Sequence, residues 1–205
     1  VESESVKKNT NVFNTNRYKA TSKLDDYQEL KDEARRIKEQ SIENLPNLIE
    51  LTKKNIEARG GKVFLAKSSD EANNYIKEIC EKKKAKLVVK AKSITSEEIG
   101  LNHVLENVGI EIAETDLAEF ILQISKEQPS HNVVPAVHQS RERISKMFKE
   151  HFNTDLPLET GEDLTKFARD ILREKFLSAD VGISGANLIS AESGSILLVE
   201  SEGNI

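Results

Sequence analysis

Cysteine is nearly absent from this sequence, since Cys80 is the single cysteine among 205 residues. One thiol can form no disulfide within the chain, and it cannot supply a four-cysteine zinc site or an all-cysteine iron–sulfur cluster. Cys80 shares one helical face with the apolar residues Ala72, Ile76 and Ile79. This spacing predicts a buried and chemically inert thiol.

Long hydrophobic runs are missing as well. No stretch approaches the roughly 20 apolar residues that a membrane helix needs, mean hydropathy is -0.51, and residues 1–10 contain no apolar signal-peptide core. We therefore expect no membrane span and a cytoplasmic location. The chain does not begin with methionine, and it ends at Ile205 soon after an apolar run. We expect an incomplete gene product whose α/β domain is truncated at its C-terminal end.

Positive charge is also scarce. The net charge is -5, and residues 155–205 hold ten acidic and four basic residues, which would repel a phosphate backbone. Nucleic acid is therefore not an expected partner. The lysine cluster at residues 82–86 lies at a predicted helix end, where cations complement the helix dipole.

The organisation predicted along the chain has three parts. Residues 1–20 form a polar arm, residues 21–60 form helices that end at Gly60-Gly61, and residues 61–205 alternate short apolar runs with amphipathic helices. Strands are predicted at 63–66, 87–89, 110–113, 132–134, 181–183 and 195–199. Repeated β-α units predict an α/β fold with an open, largely parallel sheet and flanking helices. Such sheets bind ligands beyond the carboxyl ends of their strands.

A glycine-rich stretch at residues 179–187 is the first candidate site. It holds Gly182, Ser184, Gly185 and Asn187 in and after a short apolar strand. Glycines let a backbone approach a ligand and offer it N–H groups. The stretch lacks both the spacing of a dinucleotide fingerprint and the lysine of a P-loop. A plain turn between strands is the alternative interpretation.

A second candidate is Glu192, followed by Ser193 and Gly194 at a turn between two predicted strands. A glutamate that projects from such a turn into a cleft can act as a base, a nucleophile or an orienting carboxylate. The alternative is an exposed turn with no chemical role.

Polar residues near predicted strand ends form a third group. His131 and His138 flank one predicted strand and would be about 20 Å apart, so no shared metal site is expected. His138 is predicted to begin a helix, where the dipole favours a neutral imidazole that could contact substrate. Arg141 could bind a carboxylate bidentately, and Asp116 could make a polar contact at the same edge. Packing, surface and N-cap roles are the respective alternatives.

Several motifs together carry a family resemblance. They lie at residues 114–121, 129–131, 135–138, 179–187, 191–195 and 202–204. In these segments the sequence resembles the LUD domain, in particular that of the lactate-utilisation protein B family. The resemblance covers nearly everything after residue 20.

This resemblance implies an open sheet of the ribose-phosphate-isomerase and CoA-transferase-like class. It also implies an oxidoreductase complex that oxidises L-lactate to pyruvate, with other subunits of that complex as partners. Members of the family carry [4Fe-4S] clusters for electron transport in a C-terminal ferredoxin-like region. Residues 1–205 would hold no cofactor, the clusters would lie in the missing C-terminal region, and the chain alone would be inactive.

Three hypotheses for function follow. In the first, the domain binds a small carboxylate or a partner subunit at the edge formed by Asp116, His138, Gly182, Ser184, Gly185, Asn187 and Glu192. In the second, Glu192 is the nucleophile of an acyl or CoA transferase and forms a mixed anhydride. In the third, the chain is a non-catalytic scaffold whose helices before residue 60 wrap a partner.

Overall fold

The computed structural model describes residues 2–130, 134–200 and 203–205, and it divides into two compact units. The sheet unit contains Leu65–Gly185 together with the described residues among the first six and last six positions. The helix–hairpin unit contains Lys7–Phe64 and Ala186–Val199. Within the described residues, no helix is both long and apolar enough to cross a bilayer.

The described chain folds into helices and short strands. In chain order they are α1 (Glu2–Thr21), α2 (Tyr27–Glu43), α3 (Leu45–Glu57), α4 (Ser69–Lys83), β1 (Leu87–Lys90), α5 (Ile94–Glu98), α6 (Leu101–Glu106), β2 (Glu111–Glu114), α7 (Leu117–Ser125), α8 (Arg141–Phe152), α9 (Gly161–Ser178), β3 (Val181–Ile183), β4 (Leu188–Ser190) and β5 (Ser195–Leu197).

The sheet unit is built on three parallel strands in the order β2-β1-β3. Val88 at the centre of β1 pairs with Ile112 on one side and with Val181 on the other. All four residues of β1 are buried. An apolar run without alternation is typical of a parallel strand that helices cover on both faces.

Two apolar clusters cover the two faces of this sheet. On one face, Val88 and Ile112 pack with Cys80, Leu101 and Leu105 from α4 and α6. The buried Cys80 thiol, predicted from helical spacing, is confirmed.

On the opposite face, Leu87, Val89 and Ala113 pack against Phe176 of α9. A separate aromatic cluster joins α7, α8 and α9 through Phe120, Phe148 and Phe167. The open α/β fold with a parallel sheet, flanking helices and preceding N-terminal helices is confirmed.

Asp180 holds the start of β1 beside β3. Its carboxylate accepts hydrogen bonds from the backbone N–H of Lys86 at 2.7 Å and of Leu87 at 3.1 Å. These two donors hold the pKa of Asp180 below its usual range, because they stabilise the ionised form. One carboxylate thus fixes the register at which the two strands begin.

In the helix–hairpin unit, β4 and β5 form an antiparallel hairpin. The side-chain amide of Asn55 in α3 donates to the carbonyls of Ala191 and Glu192 in the turn, both at 2.8 Å. Gly194 has φ +66°, and a Cβ there would lie 2.9 Å from the backbone nitrogen of Ile56. Glycine is therefore required at this close approach.

Several predicted boundaries are wrong. The apolar run at 63–66 makes no strand, because its backbone forms no ladder with any described strand. The helix predicted near 97–107 is two helices that Gly100 separates with φ +67°. The strand predicted at 195–199 ends at Leu197 and is antiparallel to its partner. Residues 132 and 133 of another predicted strand lie outside the described residues, and Val134 is in a bend.

Two further expectations differ from the structure. The helix predicted to start at His138 begins at Arg141, because Ser140 is the N-cap and accepts from the backbone N–H of Arg143. The polar segment at residues 1–20, for which composition suggested a loose arm, lies in the helix α1. Polar composition alone therefore did not indicate the helical state of this segment.

Candidate functional site

Charged side chains meet where β1 and β2 end. Lys90, the last residue of β1, is the register partner of Glu114, the last residue of β2. The side chain of Lys90 is 1% exposed, and its Nζ lies 3.0 Å from Glu114 Oε1. The Asn102 side chain in α6 donates to the same Glu114 oxygen at 2.7 Å. A lysine is almost never fully buried unless it is paired, so this pair is a deliberate feature of the fold.

The pair leaves hydrogen-bonding capacity unused. Among the described residues, neither Lys90 Nζ nor Glu114 Oε2 has a hydrogen-bond partner, although both atoms are buried. The Lys90–Glu114 contact is an ion pair by distance but not a well-directed hydrogen bond. Buried polar groups without partners are costly. Their concentration at a sheet edge favours a polar ligand or ordered water at this position.

A second lysine follows two residues later. Lys92 is on the same side of the extended chain as Lys90, its side chain is 23% exposed, and its Nζ lies 3.8 Å from Glu119 Oε1. Glu119 is in the first turn of α7 and its side chain is 8% exposed. The edge cluster is defined here as Lys90, Lys92, Glu97, Asn102, Glu114 and Glu119.

The carboxyl group of Glu119 is electrostatically unusual. Burial raises its pKa to about 7, and repulsion from Glu97 and Glu114 and a hydrogen bond with the Glu97 carboxyl group add to the increase. Lys92 acts in the opposite direction. A carboxyl group that titrates near neutral pH can exchange a proton with a ligand, and such groups concentrate at functional sites.

A small pocket of about 110 Å³ lies beside the carboxyl ends of β1 and β3. Its lining includes Ala91, Thr115, Gly182 and Ser184. In the strand order β2-β1-β3 the chain moves from β1 to one neighbour and later returns to the other side. The pocket is therefore at the switch point where open α/β sheets bind ligands.

Loops from all three strands approach one another at this edge. Thr115 Oγ1, after β2, lies 3.2 Å from the carbonyl oxygen of Lys90 and 2.8 Å from that of Asn204. A Cβ on Gly185, after β3, would lie 3.4 Å from the Ser93 side chain. Gly185 thus lets the loop after β3 pack closely against the loop after β1.

Asp116, predicted as an N-cap or a polar contact, is the N-cap of α7. Its Oδ1 accepts from the backbone N–H groups of Ala118 at 2.9 Å and Glu119 at 3.1 Å. These hydrogen bonds explain its place after β2. They also fix the first turn of α7, and with it the position of Glu119.

His138 is in a network of its own before α8. Its Nε2 donates to Glu127 Oε2 at 3.0 Å, and its Nδ1 lies 2.7 Å from Ser130 Oγ. Gln139 and Arg143 also donate to Glu127. The hydrogen bond from His138 is the largest influence holding the pKa of Glu127 below its usual range. These contacts tie down the loop before α8, and His131 lies outside the described residues.

Arg141, predicted to bind a carboxylate, is the first residue of α8. It lines an open cleft of about 540 Å³ together with Lys146, Lys149, Glu150 and Glu159. The cleft walls carry both signs of charge on exposed side chains. Nothing in this lining selects an anion over a cation, so the prediction for Arg141 gains no specific support.

The remaining predicted residues belong to the helix–hairpin unit. Asn187 Oδ1 accepts from the backbone N–H of Val199 at 2.8 Å. Ser193 Oγ accepts from the backbone N–H of Ser195 at 3.2 Å. Gly194 N–H donates to Ser190 O at 2.7 Å, and Glu192 is exposed. The described contacts of Asn187, Ser193 and Gly194 thus lie within the hairpin, and each supports its folding.

The sequence analysis missed the edge cluster. Lys90 and Glu114 each end a short apolar run, and charged residues in that position suggest a solvated strand end. The alternation of Lys90 with Lys92, followed by Glu114 and Glu119 around the next strand, was the available signal. Its meaning depends on the parallel pairing that places Lys90 opposite Glu114.

Iron–sulfur chemistry does not fit the residues of this chain. Cluster ligation requires several thiolates, whereas Cys80 is the single cysteine and is buried in an apolar cluster. Across the described ranges, no group of three or more His, Cys, Asp or Glu side chains could hold a metal ion.

The fold and the edge cluster together define an open α/β domain of the ligand-binding type, with charged groups at the carboxyl edge of a parallel sheet. Residues 49–205 match the LUD domain family, and the chain belongs to that family. It is 45% identical over 193 residues to "Lactate utilization protein B" of Bacillus cytotoxicus. It is 43% identical over 193 residues to the proteins of the same name from Bacillus cereus and Bacillus thuringiensis.

These matches cover 93% of this chain but 40% of each relative. The chain therefore spans about 40% of the length of the curated relatives that it matches. No solved structure is significantly similar to it.

Proposed function

We propose that this chain is the LUD-domain part of a protein that acts in the oxidation of L-lactate to pyruvate, and that it binds a small carboxylate at the edge cluster. The relatives named for lactate utilization support the process. One observation carries the binding half of the proposal, namely the buried Lys90 ammonium group with unused donors at the carboxyl end of the central strand.

The chemistry of the edge cluster suits a 2-hydroxy or 2-oxo acid. A carboxylate beside Lys92 would form a charge-assisted hydrogen bond, which is stronger than a neutral one. The Lys92 side chain is partly exposed and so accessible from solvent. Glu119, within reach of Lys92, could hydrogen-bond the hydroxyl or oxo group of the same ligand. The neighbouring pocket has room for only a few non-hydrogen atoms, which favours a small acid.

The electron-transfer half of the function lies outside the residues studied. We place [4Fe-4S] clusters in the longer relatives beyond the region that matches residues 1–205, because the cysteine content here does not fit them. Other subunits of the lactate-oxidising complex would be the partners, and the cytoplasm the location.

Isothermal titration of sodium L-lactate and sodium pyruvate into the purified chain tests the binding proposal. We expect saturable binding of at least one acid, and at least a tenfold loss of affinity in Lys92→Met, since one charge-assisted hydrogen bond is worth about 1.5–3 kcal/mol. Lys83→Met, which removes an exposed lysine from the end of α4, is the matched control. No binding of either acid, or equal losses in both variants, would refute the site.

A scaffold role is the second candidate, and the hairpin supports it. Leu188, Ile189, Ile196 and Leu197 are each at least half exposed, and exposed apolar patches on soluble domains often mark interaction sites. If Lys92→Met supported growth on L-lactate as well as the unchanged gene, the scaffold role would be preferred. The transferase hypothesis gains no support, since Glu192 lies exposed on a turn.

A further inference from the structure

Glu119 is a buried carboxylate whose charge is incompletely balanced. Within the described residues its Oε1 is buried and accepts no hydrogen bond. The Nζ of Lys92 lies 3.8 Å from that oxygen, which is beyond hydrogen-bonding distance. A carboxylate in this position is stabilised either by a ligand donor or by a proton of its own.

The groups that face Glu119 come from every element around it. Glu97 of α5 hydrogen-bonds to it carboxyl to carboxyl, Glu114 of β2 repels it, and Lys92 after β1 attracts it. The ammonium group of Lys90 is paired with Glu114. In its own helix, Asp116 is engaged as the N-cap.

A hydrogen bond between two carboxyl groups requires a proton on one of them. The edge cluster contains three glutamates and two lysines, so its fully ionised form already has one negative charge in excess. An anionic ligand would add another in a partly desolvated place, where like charges repel strongly. A proton on the Glu97–Glu119 pair removes one of these charges.

We propose that the sheet unit takes up a proton with each small carboxylate anion that it binds, and that the Glu97–Glu119 pair accepts this proton. The inference rests on the proposed function, because it requires carboxylate binding at the edge cluster. It restricts the ligand class to acids that bind as monoanions beside a neutral carboxyl group, with the Glu119 O–H available to donate to the ligand.

The size of the proton uptake depends on pH. Without ligand the pKa of Glu119 is about 7, and a bound anion would raise it further. Uptake should then be about 0.1 proton at pH 6, about half a proton at pH 7 and about 0.9 proton at pH 8, by linkage. Affinity should be flat below pH 6 and fall about tenfold per pH unit above pH 8.

Calorimetry in two buffers of different ionisation enthalpy measures this uptake directly. The probes are sodium L-lactate and sodium pyruvate, titrated into the purified chain at pH 6, 7 and 8. The apparent enthalpy of binding should differ between the buffers at pH 8 and agree at pH 6. Glu119→Gln should bind with no uptake at any pH and with an affinity independent of pH. Glu98→Gln, on an exposed glutamate beside Glu97, should behave like the unchanged chain.

The outcomes separate the two proposals. Binding without proton uptake would overturn this inference and leave the proposed function standing. The absence of any binding would overturn both. If Glu119→Gln does not fold, as judged by circular dichroism, Glu97→Gln replaces it. In that variant uptake centred below pH 7 is expected, because one source of repulsion is lost, and unchanged uptake would contradict the role of the pair.

Discussion

Replacing Lys90 with methionine isolates the energetic role of the buried ion pair. Methionine keeps the length and apolar stem of the side chain but removes the ammonium group. Glu114 then remains in a site where its side chain is 6% exposed, with Asn102 as a hydrogen-bond donor. The variant therefore leaves a carboxylate buried without its counter-charge.

The expected loss is large. Breaking a buried ion pair by removing one partner costs about 3–5 kcal/mol, which is a large fraction of the roughly 5–15 kcal/mol that stabilises a whole domain. The double variant Lys90→Met/Glu114→Gln removes both charges, and glutamine can still accept from Asn102. We expect it to recover all but about 1–2 kcal/mol, because no ionised group remains buried.

Urea unfolding followed by far-ultraviolet circular dichroism at pH 7.5 measures both variants. Lys175→Met is the matched control, because Lys175 pairs with Glu111 on the same strand but on the exposed surface; it should cost less than about 1 kcal/mol. Two results would refute the reasoning, namely a Lys90→Met loss no greater than that of Lys175→Met, or a double variant less stable than the single one.

Three further predictions test other features. The free energy of unfolding of the unchanged chain should fall from about pH 4.5 to pH 7 relative to that of Glu119→Gln, by up to about 3 kcal/mol, because the raised pKa of about 7 lets only the folded state keep the proton; parallel pH profiles would contradict this. Asp180→Ala should destabilise the chain at pH 7 and flatten its loss of stability near and below pH 3.8, since the lowered pKa gives stability that is present above the unfolded value and lost in acid; an unchanged acid unfolding curve would contradict it. Gly194→Ala should cost more than about 1 kcal/mol, because its Cβ would clash with the backbone of Ile56, whereas Gly60→Ala has a similar φ but open space and should cost less in the same thermal unfolding assay.

The sequence predicted the fold where local patterns and tertiary packing agree. The apolar runs of β1 and β2 are buried strands because helices cover both faces. Helix α3 begins near Pro46, as the preference of proline for the first helical turn predicts. The apolar run at 63–66 was misread because hydrophobicity does not reveal whether a strand has a partner for its ladder.

The candidate site was predicted only in its location. The carboxyl edge of the sheet follows from the β-α alternation, and Gly182 and Ser184 do line the pocket there. Lys90 was not recognised because its burial depends on Glu114, which lies 24 residues further along the chain. His138 was expected at a helix start, but its position depends on the side chains of Glu127 and Ser130, which carry no periodic signal.

The central position of β1 also determines how the sheet can assemble. Val88 meets Ile112 across a separation of 24 residues, but it meets Val181 across a separation of 93. By the logarithmic dependence of loop closure on length, the second pairing costs about 1 kcal/mol more in chain entropy, and non-local pairings form slowly. The β1–β2 pair should therefore form early. β3 would then join a preformed strand, with Asp180 as the clip that completes the sheet.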